Sequence, residues 1–94
     1  MILHVTRVKY LKDYKVEVGF NDGREGVADL SDALYGPVFK LLKNKDEFMK
    51  LRVDPDLATI SWPNGADLAP ESIYYRAFKN DKSLQKTFKE WGYL

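Results

Sequence analysis

Asp67 and Glu71 lie four residues apart in the run ISWPNGADLAPESIYY, Ile60 to Tyr75. Two carboxylates brought together near a helix start could share a proton for acid–base work or hold a cation. The same two residues also suit plain architecture, since an Asp in a turn can accept hydrogen bonds from the loop's own amides and a Glu in a first helical turn answers the helix dipole. Trp62, Asn64 and Tyr74 stand around them, and with Asp67 they make the candidate loop site for a small ligand or a minor enzymatic activity. The aromatic group Trp62, Tyr74 and Tyr75, extended by Tyr35, Phe39 and Phe48, reads first as core; the alternative is that one or two of these rings anchor an interface.

The remaining chemistry-bearing types do not assemble. His4 is the single histidine, and a proton-transfer pair or a metal site would need a second titrating group beside it. Asp54-Pro55-Asp56 lacks the third acidic ligand and the glycine that a calcium loop requires. Ser31, Ser61, Ser72 and Ser83 sit in no GxSxG setting, and neither GxGxxG nor a P-loop occurs. With no cysteine, disulfides, thiolate zinc sites and cysteine nucleophiles are excluded. No catalytic, cofactor-binding or metal-ligating set is expected, and no cofactor.

The elements that must position these residues follow from local pattern. Residues 2–11 read as a strand, although Leu3, Val5, Val8 and Tyr10 are too irregularly spaced for one clean face. Tyr14, Val16, Val18 and Phe20 alternate with Lys15, Glu17 and Gly19, which predicts a half-buried antiparallel strand turned back at Asn21-Asp22-Gly23. Asp29 to Tyr35 reads as a capped turn that breaks at Gly36-Pro37. A short helix follows, and Asn44 with Glu47 resembles a capping pair for another. Leu51 to Trp62 predicts a second hairpin turning at Asp54-Pro55-Asp56. Pro63 ends its second strand, Asn64-Gly65 supplies a tight turn, and Pro70-Glu71 opens a helix to about Lys79.

Residues 81–91 predict a last, amphipathic helix, with Asp81 as N-cap and Gly92 just past its end. Leu84, Phe88 and Trp91 share one face, the candidate interface, while Lys82, Lys86 and Lys89 share the other. Such a stripe must dock on the body or on a second subunit, with a lean toward the latter. The charge is uneven: residues 1–75 carry ten basic and twelve acidic side chains, and residues 76–94 five basic and two acidic. At +1 the whole chain has no strong field for nucleic acid or membrane. No apolar run approaches the ~18 residues a span needs, so a cytoplasmic setting is expected.

The order of these motifs resembles the DUF2442 family of bacteria and phages. The matching pieces are the first strand with Val5 and Val8, DYKVEVGFNDG, Asp29-Leu30-Ser31, the segment Phe48 to Val53, and WPNGADLAPESIY, together spanning residues 1–76. The resemblance implies a two-layer α+β domain without established activity. Relatives fused to or encoded beside a helix-turn-helix repressor domain or a small toxin-like protein imply a regulatory or antitoxin-like role. Too few residues follow position 79 for a helix-turn-helix module, so its DNA binding does not carry over.

The expected protein is thus a small two-layer α+β domain, residues 1–79, with two antiparallel hairpins, short helices and an amphipathic C-terminal helix in a tail of residues 80–94. Its expected role is non-catalytic protein interaction, through a partner protein or self-association. The alternatives are a ligand or minor enzyme site at the WPNGAD loop, and weak nucleic-acid contact through the tail lysines. Nucleic acid is otherwise disfavoured as a partner, and a membrane is excluded.

Overall fold

Val16, Val18 and Phe20 turn inward from β2 (Lys15–Phe20), the middle strand of a three-stranded antiparallel sheet ordered β1 (Val5–Lys12), β2, β3 (Glu25–Asp29). The computed structural model describes residues 2–94. The β2–β3 turn places Gly23 at φ 88°, the left-handed conformation that Asn-Asp-Gly predicts, and the Asp22 carboxylate accepts the Arg24 amide at 2.9 Å.

The irregular spacing in β1 has a geometric cause. Val5 pairs with Phe20 but Arg7 with Gly19, so Thr6 is an extra residue in a β-bulge, and a second shift lies between Tyr10 and Lys12. The bulge switches the inward parity from Leu3 and Val5 to Val8 and Tyr10, which is why one face cannot be read from the sequence. On the outer face Arg7 crosses over Gly19 to reach Glu17 at 2.9 Å and Glu25 at 3.0 Å. A Cβ at Gly19 would stand only 3.0 Å from Arg7 Cγ.

A second hairpin pairs β4 (Arg52–Asp54) with β5 (Thr59–Ser61). Asp54 nucleates its turn by accepting the Asp56 and Leu57 amides at 2.8 and 3.1 Å. Ala58 completes the turn at φ 55°, a left-handed conformation that costs an L-residue roughly 1–2 kcal/mol. Its carbonyl accepts the Val5 amide at 2.9 Å and so ties the hairpin to β1.

The helices are α1 (Pro37–Lys40), α2 (Lys45–Phe48), α3 (Pro70–Phe78) and α4 (Gln85–Glu90). Helix α3 lies against β3, and this approach needs Gly26: a Cβ there would sit 2.8 Å from the Phe78 ring. Asn44 caps α2 by accepting the Asp46 amide at 2.9 Å, whereas Glu47 pairs with Lys50 instead of closing the expected capping box. The tail departs from the single helix predicted over 81–91. Asp81 accepts the Ser83 amide and hydroxyl and opens a 3-10 turn, Lys82–Leu84, before α4 begins; Gly92 ends α4 at φ 87°. The fold is α+β: two antiparallel sheets of three and two strands with short helices, around one core that runs from Val16 and Leu30 through Phe48 and Trp62 to Ile73 and Phe88. Among the described residues no helix is long and apolar enough to cross a membrane.

Candidate functional site

Each residue of the run from Ile60 to Tyr75 has a definite position. Trp62 is 2% exposed, its ring packs on Phe39 and Phe48, and its Nε1–H donates to the Phe48 carbonyl at 2.9 Å. The turn closes when the Trp62 carbonyl accepts the Gly65 amide at 3.0 Å and the Trp62 amide donates to Ala66 O at 2.9 Å, with Gly65 at φ 89°. Asn64 works in two directions: its Oδ1 accepts the Ala66 amide at 3.1 Å, and its Nδ2 donates to Val38 O in α1 at 2.9 Å. The acceptor expected from Asp67 is therefore supplied by Asn64, which stands two residues before the amide, the Asx-turn spacing. Asp67 bridges to Ser61 through its backbone and leaves its side chain exposed. Among the described residues no cluster of His, Cys, Asp and Glu could hold a metal ion.

Tyr74 belongs to a different group. Its ring meets Phe20 at 4.9 Å, Phe78 at 4.7 Å and Trp91 at 5.9 Å, and its hydroxyl donates to Asp22 Oδ2 at 2.8 Å. Asp22 stands 3.8 Å from Arg24 Nε, and Arg24 reaches Asp81 at 3.2 Å. Burial first, and then the Asp22 hydrogen bond, push the Tyr74 hydroxyl up to about 12. At neutral pH it is a hydrogen-bond donor and not a base. No hydrogen bond or ring contact among the described residues joins Tyr74 to Trp62, Asn64 or Asp67. Tyr74 instead shares a cleft of about 210 Å³ with Leu84 and Trp91, so one member of the loop set meets two of the interface set.

Phe88 is fully buried against Tyr74 and Tyr75, and Tyr93 stacks on Tyr75 at 4.7 Å. Phe88 thus docks the tail on its own chain. Leu84 is partly covered and Trp91 is 39% exposed. Lys82, Lys86 and Lys89 face solvent as expected, and so does His4.

The sequence reading missed the most open apolar feature. Tyr35 is 74%, Val38 52% and Leu41 51% exposed, and no other window of this length among the described residues holds three such side chains. The signal was their spacing of three across Gly36-Pro37. It was obscured because Tyr35 was grouped with Phe39 and Phe48, which do pack with Trp62 while Tyr35 does not. Asn64 holds the backbone of Val38, so the WPNG turn positions this stripe.

Fold and site together define a small α+β domain whose unusual loop is a brace and whose open features are surfaces. The chain belongs to the family described as Protein of unknown function (DUF2442), whose family model matches residues 5–79. A crystal structure of a "Putative DNA Binding Protein" from Nitrosomonas europaea is similar in fold, with a TM-score of 0.75 at 16% identity over 97% of this chain, which includes most of the tail. The chain spans 59% of that protein's length. No curated protein matches it.

Proposed function

We propose that this chain is a non-catalytic protein-interaction domain, with a regulatory or antitoxin-like role toward a protein encoded beside it. The observation that carries this reading is the exposure of Tyr35, Val38 and Leu41 within seven residues, with the Val38 carbonyl held by Asn64. Fully burying one such side chain is worth about 1.5–3 kcal/mol, and roughly half of that is unrealised at Val38 and Leu41 and more at Tyr35. An open apolar patch on a small domain marks a contact surface. Residues 1–79 supply that surface, and residues 80–94 add Phe88 to the same core. The setting we infer is the cytoplasm, in keeping with a chain free of cysteine.

The test is capture of the neighbouring gene product by tagged protein, compared with a Val38→Asp/Leu41→Asp variant. Both positions are half open, so the variant should keep its melting temperature within a few degrees and lose capture. Equal capture by parent and variant, or none by the parent, would contradict the reading.

A second reading is nucleic-acid contact through Lys82, Lys86 and Lys89. It is favoured by their exposure and by the likeness in fold to the Nitrosomonas europaea protein described as DNA-binding. Retention on duplex DNA that falls steeply with salt would support it. Salt-independent retention would not. The small-ligand reading has weaker support, because the four residues named for it divide between two places.

A further inference from the structure

Between Asp32 and Asp46 the chain carries Lys40, Lys43 and Lys45 and no carboxylate, and the same window holds the open side chains Tyr35, Val38 and Leu41. Lys45 is held by Asp13 at 3.1 Å, and Asp32 by Arg76 at 2.9 Å. Lys40 and Lys43 are exposed and enter no ion pair among the described residues. Free lysines are common on this chain; these two differ in standing beside apolar side chains that nothing among the described residues covers. Lys40 borders that patch directly. With Pro37, Leu41 and Asn44 it bounds a shallow cleft of about 480 Å³ that has no carboxylate in its lining.

The backbone decides the form of an occupant. Helix α1 runs straight into a 3-10 turn, Leu41–Lys43, and the amides of Phe39 and Lys40 bond to Gly36 O and that of Asn44 to Leu41 O. The segment therefore presents no strand edge with which an extended chain could pair. A helix arrives with its own backbone bonds made and needs only side-chain contacts. Val38 and Leu41 are about one turn apart, roughly 5 Å along the axis, which matches side chains three or four apart on a facing helix.

We propose that this surface takes the apolar face of an acidic amphipathic helix of a partner protein, its aliphatic side chains covering Val38 and Leu41 and entering the cleft beside Pro37, and its carboxylates meeting Lys40 and Lys43. This partner class rests on the protein-interaction reading above. A second copy is a poor occupant, since a two-fold contact through the patch gathers Lys40 and Lys43 of both copies. An anionic bilayer would meet the lysines but leave the cleft unfilled.

Amide NMR on the full chain tests it with three synthetic helical peptides. One has Leu at i, i+3, i+4 and i+7 flanked by Glu, the second keeps the Leu positions with Lys in place of Glu, and the third scrambles the first. The acidic amphipathic peptide should shift the amides of Val38 to Asn44 and bind at least ~10-fold more tightly than the lysine peptide, by a margin that shrinks with salt. Lys40→Glu/Lys43→Glu, at two exposed positions, should keep the fold and reverse the preference. Val38→Asp/Leu41→Asp should abolish binding of both. Equal affinity for the acidic and basic peptides at these amides would overturn the acidic partner while leaving an apolar contact surface standing. Equal binding of the scrambled peptide, no shifts at these amides, or shifts produced by anionic lipid vesicles and by no peptide would overturn it too. Failure of the interaction reading itself shows separately, as capture of the neighbouring gene product that Val38→Asp/Leu41→Asp leaves unchanged.

Discussion

Replacing Phe88 with Ala should destabilise the domain by about 3–5 kcal/mol, the range for emptying a fully buried aromatic site. The side chain is 0% exposed and touches Tyr74 and Tyr75 of α3, so its loss opens a cavity between the tail and the body. A domain of this size has only about 5–15 kcal/mol in total, and the variant should unfold at much lower denaturant. Trp91→Ala, at a position 39% exposed, should cost far less. Urea unfolding of the two variants checks the pair. If Phe88→Ala shifted the midpoint no more than Trp91→Ala, the tail would be an addition to a finished domain rather than part of its core.

Trp62→Ala should be comparably severe, about 3–5 kcal/mol for the ring. A further share comes from the Phe48 carbonyl, which loses the indole donor at 2.9 Å inside the core. Trp62→Phe separates the two contributions. It keeps most of the apolar surface between Phe39 and Phe48 but leaves that carbonyl with the Leu51 amide at 3.2 Å as its one remaining donor, and about 0.5–1.5 kcal/mol should be lost. Thermal melts of all three proteins decide it: at roughly 4–8 °C per kcal/mol, the phenylalanine variant should fall between the parent and the alanine variant. A phenylalanine variant as stable as the parent would remove the hydrogen bond from the account.

The same comparison shows where the sequence was legible. Val16, Val18 and Phe20, Gly23, and the Pro63-Asn64-Gly65 turn each have a reason confined to a few neighbouring residues, and each sits where local pattern placed it. The features that escaped have their cause elsewhere in the chain. Gly26 is required by the ring of Phe78, the bulge at Thr6 by the register against Phe20, and the Tyr74 hydroxyl's position by Asp22 across the fold. Asn64 and Asp67 were both chemically able to accept a loop amide; only the closed turn shows that Ala66 faces Asn64. The Tyr35 to Leu41 stripe was hidden for a related reason, because exposure of an aromatic is decided by what lies above it and not by its own type.

The tail illustrates the same limit from the other side. Periodicity correctly put Leu84, Phe88 and Trp91 on one face, but whether that face would meet its own body depended on Tyr74 and Tyr75 being presented by α3. Asp81 and Leu84 break what the pattern showed as one helix, since the Asp81 carboxylate prefers the nearby Ser83 amide and hydroxyl and tightens the first turn.

The central claim is that the WPNGAD loop is a brace whose purpose is to hold α1 and its stripe in place. Amide hydrogen exchange on Asn64→Ala tests it most directly, since that change removes both the Ala66 and the Val38 hydrogen bonds while leaving the turn's Gly65 intact. The account predicts faster exchange at Phe39 and Lys40, whose amides bond to Gly36 at the start of α1, with the α3 amides unchanged. Unchanged exchange at Phe39 and Lys40 would contradict it.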